Sequence, residues 1–256
     1  MIALRLLTFN ALMKGDVRPR LHALGAVLAQ SRYDVVCLQE VLYRRHAGLL
    51  RRAAAQFGYH AWSGRVLLEG GLVLLSRWPV GAARFTRYPR VGPARAEYLM
   101  RKGAQVAVLD SPDGPVLIAN THLSANRDDD WSPGNRYTAV ARTELGHLAA
   151  ELATAGPDLP VVVVGDLNVP RDSVALAEFL AATGLVDVLA GDTEPTFRPT
   201  PQWPAPPAFD HVLVRPAPGR TVSAQARLVF REPVALPGGR SGYLSDHYGV
   251  EAVLHA

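Results

Sequence analysis

Val161-Val162-Val163-Val164-Gly165-Asp166-Leu167-Asn168 is the stretch that decides the fold of this chain. Four consecutive β-branched residues between Pro160 and Gly165 read as a short strand covered on both faces. Such a strand belongs to a layered protein, in which other elements pack against each surface of the sheet. The run then stops on a carboxylate and an amide. Alternation places Asp166 and Asn168 on one face, two residues apart. An Asx turn after a strand gives the same tetrapeptide, so this stretch alone defines no site.

Three other apolar runs end as abruptly. Leu6-Leu7-Thr8-Phe9 ends in Asn10, Val35-Val36-Cys37-Leu38-Gln39 in Glu40, and Leu117-Ile118-Ala119-Asn120-Thr121 in His122. Strands finishing on one edge of a sheet gather their terminal side chains around one crevice, where layered α/β proteins bind ligands. Each residue also has a bland explanation. Asn10 could cap a turn, Glu40 could be a solvated strand end, His122 a half-buried histidine, and Ser245-Asp246-His247 a plain loop. Jointly, these explanations do not account for the pattern.

The surrounding sequence agrees with a layered fold. Strands are expected over Ala3–Phe9, Asp34–Leu38, Gly71–Leu75, Gly81–Arg87, Ala208–Val214 and Gly249–Leu254, with a weaker one over Ala226–Phe230. Gly103–Asp110 and Pro115–Ala119 flank the turn Ser111-Pro112-Asp113-Gly114 and read as a hairpin. Helices are expected from Pro19 through Leu21, Leu24 and Leu28, over His46–Phe57, along Ala141, Leu145, Leu148 and Leu152, and over Asp172–Ala182. Pro195–Pro207 holds six prolines and reads as a stiff loop lying over something. No linker or composition shift divides the chain, which reads as one α/β domain over residues 1–256 with strands dominating.

Composition excludes several classes. The 256 residues are 48% hydrophobic and 20% charged, ordinary globular values that argue against disorder. One cysteine, Cys37, allows neither an internal disulfide nor a multi-cysteine zinc site. No apolar run approaches the ~18 residues that cross a bilayer. Met1–Phe9 is too short for a signal peptide and already reads as strand, which gives the expectation of a cytosolic protein. Net charge is +4, and only Lys14 and Lys102 of the 27 basic residues are lysine. Arginine suits phosphate, but an excess this small points to codon usage before function.

Six segments, taken in order, resemble the endonuclease/exonuclease/phosphatase superfamily with its deoxyribonuclease I-like fold. They are Thr8-Phe9-Asn10, Leu38-Gln39-Glu40, Asn120-Thr121-His122-Leu123, Gly165-Asp166-Leu167-Asn168, Phe209-Asp210-His211-Val212 and Ser245-Asp246-His247. The resemblance implies a four-layer αββα sandwich, two packed and mostly antiparallel sheets flanked by helices. It also implies a magnesium-dependent phosphoester hydrolase, with manganese as the substitute ion. Glu40 would be the main metal ligand, with Asn10 and Asp246 beside it, a donor set that suits a hard cation. Asp166 would orient or deprotonate the attacking water, and Asn168 would bond a phosphoryl oxygen. Asp210 would fix the tautomer of His247. His247 and His122 would flank the phosphate with positive hydrogen bonds or a proton for the leaving oxygen. His211, where many relatives carry tyrosine, should point away from the site as a packing variant.

His122 and the segment Arg101-Lys102-Gly103 look most like the neutral sphingomyelinase side of the family. Lys102 and Arg136 are the candidate substrate contacts. The favoured substrate is a small phosphodiester or a phospholipid head group. A DNA or RNA nuclease is the alternative, in which Arg84, Arg87, Arg90, Arg95 and Arg101 would line a groove, and a non-catalytic binding module is the remote one. For lipid contact the only aromatic candidates are Trp131 and Trp203. Asp128-Asp129-Asp130 reads as a solvated loop tip, and the oligomeric state stays open.

Overall fold

A computed structural model describes residues 3–64, 69–221 and 223–255. Met1 and Ile2, which begin the Met1–Phe9 stretch weighed as a signal peptide, lie outside them. The first strands in chain order are β1 (Ala3–Asn10), β2 (Val35–Gln39), β3 (Tyr59–Trp62), β4 (Val73–Ser76), β5 (Arg84–Arg87), β6 (Gly103–Ser111) and β7 (Gly114–His122). Then follow β8 (Val161–Asp166), β9 (Val186–Asp187), β10 (Asp210–Arg215), β11 (Ser223–Val229), β12 (Val234–Leu236), β13 (Arg240–Gly242) and β14 (Gly249–His255). The helices are α1 (Val17–Ala29), α2 (Arg44–Ala53), α3 (Arg136–Ala153) and α4 (Val174–Thr183). A single 3-10 turn spans Ala96–Met100.

Two six-stranded sheets carry the architecture, in the orders β11-β14-β1-β2-β4-β3 and β5-β6-β7-β8-β10-β9. Each has one parallel pair, β1 with β2 and β7 with β8, among antiparallel neighbours. The valine run shows why the layers form. Val162 and Val164 face the other sheet, against Leu4, Leu6, Val35 and Cys37. Val161 and Val163 face the opposite way, into the layer with Leu145, Leu148 and Leu152 of α3 and Phe179 of α4. Leu21, Leu24 and Leu28 of α1 and Leu49 and Leu50 of α2 cover the outer face of the first sheet. Three apolar layers between four structural ones make the αββα sandwich.

Several boundaries differ from the sequence reading. The second helix runs Arg44–Ala53, because Ala54 leaves helical geometry (φ −113°, ψ 53°) and Phe57 enters the core. The strand expected from Gly81 pairs continuously with β6 only over Arg84–Arg87. The last helix starts at Val174, since the Ser173 hydroxyl accepts from Leu176 N and caps it. Strand β3 escaped notice because Tyr59 and His60 are exposed on a sheet edge and break the apolar pattern.

The close approach of β7 and β8 depends on Gly165. Its φ is 141°, and a Cβ there would lie 1.9 Å from Thr121 O. Gly165→Ala should therefore destabilise the protein by about 3 kcal/mol, through strain and backbone overlap together. Urea unfolding would measure this, and a loss under about 1 kcal/mol would show that the parallel pair can open without cost.

Candidate active site

Strand direction and register bring the polar ends together. β1, β2, β7 and β8 all finish at one edge of the sandwich, and β10 begins there. His122 pairs with Asp166, and Asp166 with Asp210, so three adjacent strands of one sheet present one row of polar side chains. Asn10, paired with Gln39 across the other sheet, reaches over with its Nδ2 to donate to Asp166 Oδ2 at 3.0 Å. Glu40, Lys102, His122, Asp166, Asn168, Asp246 and His247 line one cleft of about 500 Å³. Asn10 and Asp210 are buried beneath them.

The centre of the site is an imidazole among carboxylates. His247 Nδ1 donates to Asp210 Oδ2 at 2.9 Å, and its Nε2 lies 3.6 Å from Asp166 Oδ2. Burial opposes charge on this ring, but Asp210, Asp166 and Asp246 outweigh it and push the pKa up to about 10. His247 is thus an imidazolium at neutral pH. Burial raises Asp166, eased by the His247 charge and reinforced by repulsion from Asp210, to about 6. Its Oδ1 accepts from Asn168 N at 3.0 Å, so the Asx turn expected as the bland explanation is present inside the site itself.

The two histidines differ in charge. Burial first, then the positive neighbours Lys102 and His247, hold His122 well below the ordinary histidine range. Lys102 Nζ donates to His122 Nε2 at 2.8 Å, which places the ring proton on Nδ1, an atom with no partner among the described residues. The expected pair of positive hydrogen bonds reduces to one, from His247. Lys102 also donates to Leu123 O at 2.7 Å and pairs with Glu97 at 2.8 Å, so its three protons are all engaged inside the protein.

Glu40, directly after β2, lies in the left-handed region, φ 63°, and its Oε2 accepts from Met13 N at 2.8 Å. Asn10 Oδ1 accepts from Leu12 N at 3.1 Å. Among the described residues no lysine, arginine or histidine pairs with Glu40 or Asp246, and no three His, Cys, Asp or Glu side chains form a closed cage. Two carboxylates in one open cleft, without a basic partner, fit magnesium, which takes one or two carboxylates and retains water. They do not fit a closed structural zinc site.

Other candidates fall outside the cleft. Arg136, at the start of α3, is exposed, stacks on Tyr137 and faces Asp128 at 3.9 Å. Arg84 and Arg87 pair with Glu151 and Glu69 and line a separate hollow of about 570 Å³ beside Trp62 and Phe85. Trp131 donates to Asn168 O and packs on Phe209, while Trp203 packs on Phe197 and Phe209, so both face inward rather than toward lipid. His211 is buried between Asp187 and Val169 O, away from the cleft. Asp128 and Asp130 are held by the Asn135 side chain at a loop tip.

The proline-rich segment proves to be the site's outer brace. Phe197 bridges His247 and meets its ring edge-on at 5.1 Å. Arg198, stacked between Tyr243 and Tyr248, donates to Ser245 O at 2.9 Å. Phe197, Glu97 and Arg127 also line the cleft and escaped the sequence reading. The one available signal was an aromatic residue and an arginine between prolines, Phe197-Arg198-Pro199.

The model of the endonuclease/exonuclease/phosphatase family matches residues 7–247, and the chain belongs to that family. It is 25% identical, over 99% of its length, to a putative neutral sphingomyelinase from Drosophila melanogaster, and covers 61% of that protein. Across three curated relatives it spans 34% to 61% of their length. Among solved structures it superposes on sphingomyelinase C from Streptomyces griseocarneus with TM-score 0.76 at 23% identity, over 99% of both chains. A beta toxin variant from Staphylococcus aureus with bound magnesium ions gives TM-score 0.77 at 16% identity, over 98% of this chain and 99% of that one. Both show the deoxyribonuclease I-like fold.

The charge on His247 can be measured directly. In metal-free protein its imidazole should stay protonated through pH 8 by NMR. Asp210→Asn removes the carboxylate that favours the charged form, so the midpoint should fall by about one pH unit or more. An unchanged midpoint would mean that Asp210 does not hold the proton.

Proposed function

We propose that this chain is a magnesium-dependent phosphodiesterase acting on a phospholipid head group or similar small phosphodiester, as a sphingomyelinase does. The observation that carries the reading is the His247 imidazolium held between Asp210 and Asp166 beside Glu40 and Asp246 in one cleft. Its chemistry is that of phosphoester hydrolysis. An anionic ester repels a nucleophile, so the site must supply a base, a positive donor and charge neutralisation.

Asp166 is ionised at neutral pH yet has a proton affinity near it, which suits taking a proton from water. Asn10 and Asn168 N hold the two carboxylate oxygens, so the group is oriented before substrate arrives. His247 directs its Nε2 proton at a phosphoryl or leaving oxygen while Asp210 fixes the other nitrogen. The Asn168 side chain uses one amide hydrogen on Leu123 O and keeps the second for a phosphoryl oxygen. Glu40 and Asp246 would hold the magnesium, and the bound ion would supply Lewis-acid neutralisation of the phosphoryl charge. Manganese has the same preference for oxygen donors and serves as the substitute ion.

Around the mouth, Leu12, Met13, Leu42, Tyr43, Leu99 and Met100 form an apolar wall, with Leu99 67% exposed. That wall favours a substrate with an apolar portion next to its phosphate. None of the five arginines Arg84, Arg87, Arg90, Arg95 and Arg101 lines the cleft, which weighs against a nucleic-acid groove. Among the described residues no helix is long and apolar enough to cross a membrane.

Purified protein with magnesium should release phosphocholine from sphingomyelin in mixed micelles faster than it nicks plasmid DNA. The reverse order would make it a nuclease. Asp166→Asn and His247→Ala should each lower kcat by roughly 10²–10⁴, and losses of only a few-fold in both would overturn the assigned roles.

A further inference from the structure

Arg20 lies on α1, behind the cleft, and is 6% exposed. Among the described residues its guanidinium touches no carboxylate directly. Instead it gathers four backbone carbonyls from two loops. Nη1 donates to Ala11 O and Leu244 O, both at 2.8 Å, and Nη2 donates to Leu12 O at 2.7 Å and to Lys14 O. The first loop, residues 11–14, supplies the N–H groups that orient Asn10 and Glu40. Leu244 leads directly into Ser245-Asp246-His247.

We infer that Arg20 is a positioning residue which sets the distance between the Asn10–Glu40 side of the metal site and Asp246. The inference rests on the proposed magnesium-dependent reading of the cleft. One planar group joins the loop 11–14 to Leu244, which lies 224 residues from Arg20, and closes both around the same edge. Only arginine can do this. Four N–H bonds on two terminal nitrogens match four carbonyls, whereas a lysine ammonium offers three donors from a single point. The arrangement also explains the strained backbone at Leu12, φ 53°, which lets the Ala11, Leu12 and Lys14 carbonyls turn toward one group. An arginine four residues ahead of Leu24, on the buried face of α1, was the sequence signal for it.

The test uses manganese as the probe and electron paramagnetic resonance of the free ion as readout, without substrate. The parent protein should bind Mn²⁺, and Glu40→Gln should abolish binding. Arg20→Lys should weaken binding by roughly 10–100-fold, the range for groups that orient metal ligands. With bis-p-nitrophenyl phosphate, kcat of Arg20→Lys should return to within a few-fold of the parent at saturating metal. Affinity within twofold of the parent would overturn the inference while leaving the reading of the cleft intact. A parent that binds no Mn²⁺, or Glu40→Gln that binds it normally, would overturn both. A second measurement needs no variant, in case the lysine protein does not fold. In the ¹⁵N-labelled parent, Mg²⁺ should shift the Met13 amide and the Arg20 guanidinium signals with one shared midpoint. Signals that stay in place would overturn the inference.

Discussion

Two carboxylates, Asp166 and Asp210, are buried side by side at the ends of neighbouring strands, and the rest of the site depends on how that charge is met. Both are almost wholly buried, so a single uncompensated member would cost several kcal/mol. His247 answers both at once, bonded to one through Nδ1 and close to the other through Nε2. Because its charge is required, the loop carrying it must close onto the ends of β8 and β10. Burial first, then the charges of Lys102 and His247, hold His122 neutral.

Directional bonds between the sheets keep this geometry in register. An apolar interlayer alone would let two sheets slide, since hydrophobic contact has no preferred direction. Just under the cleft, Gln39 Nε2 donates to Asn120 Oδ1 at 2.8 Å, and Asn120 Nδ2 donates to Leu38 O and Val73 O. Gln39 also reaches Thr8 within its own sheet. A displacement of one sheet would strand these amides without partners in an apolar layer. Asn10, bonded to Asp166, repeats the link at the floor of the cleft.

Strain concentrates at the same place. Of six non-glycine residues in the left-handed region among those described, Leu12, Glu40 and Asn168 line the cleft. Such conformations persist only where neighbours hold them. Here the neighbours are Arg20 behind Leu12, Met13 N against Glu40, and Asp166 Oδ1 against Asn168 N. The arginines that looked like surplus composition thus divide by location. Arg20 and Arg198 stitch loops from inside, whereas Arg84 and Arg87 pair with glutamates away from the cleft.

The layered architecture and most of the polar set were legible because both are local patterns. An all-valine strand states that two faces are covered, and an apolar run that halts on Asn10, Glu40, Asp166 or His122 states which end is polar. What no run of residues could show was charge state and partnership. Lys102 looked like a strand end able to approach phosphate, yet its protons are taken by Glu97, His122 and Leu123 O. Arg136 looked like a phosphate contact, yet it faces Asp128. Arg20 was not singled out in the helix read from Pro19 through Leu28. The sequence by itself determined most of the strands and their polar ends, which follow from periodicity and residue type, and its six ordered motifs carried the resemblance to the family. Only the tertiary structure decided which histidine is charged and which arginine joins the loops. Both depend on burial and on neighbours from other elements, some as far away as Leu244 is from Arg20, and a pKa or a hydrogen bond exists only once those neighbours are in place.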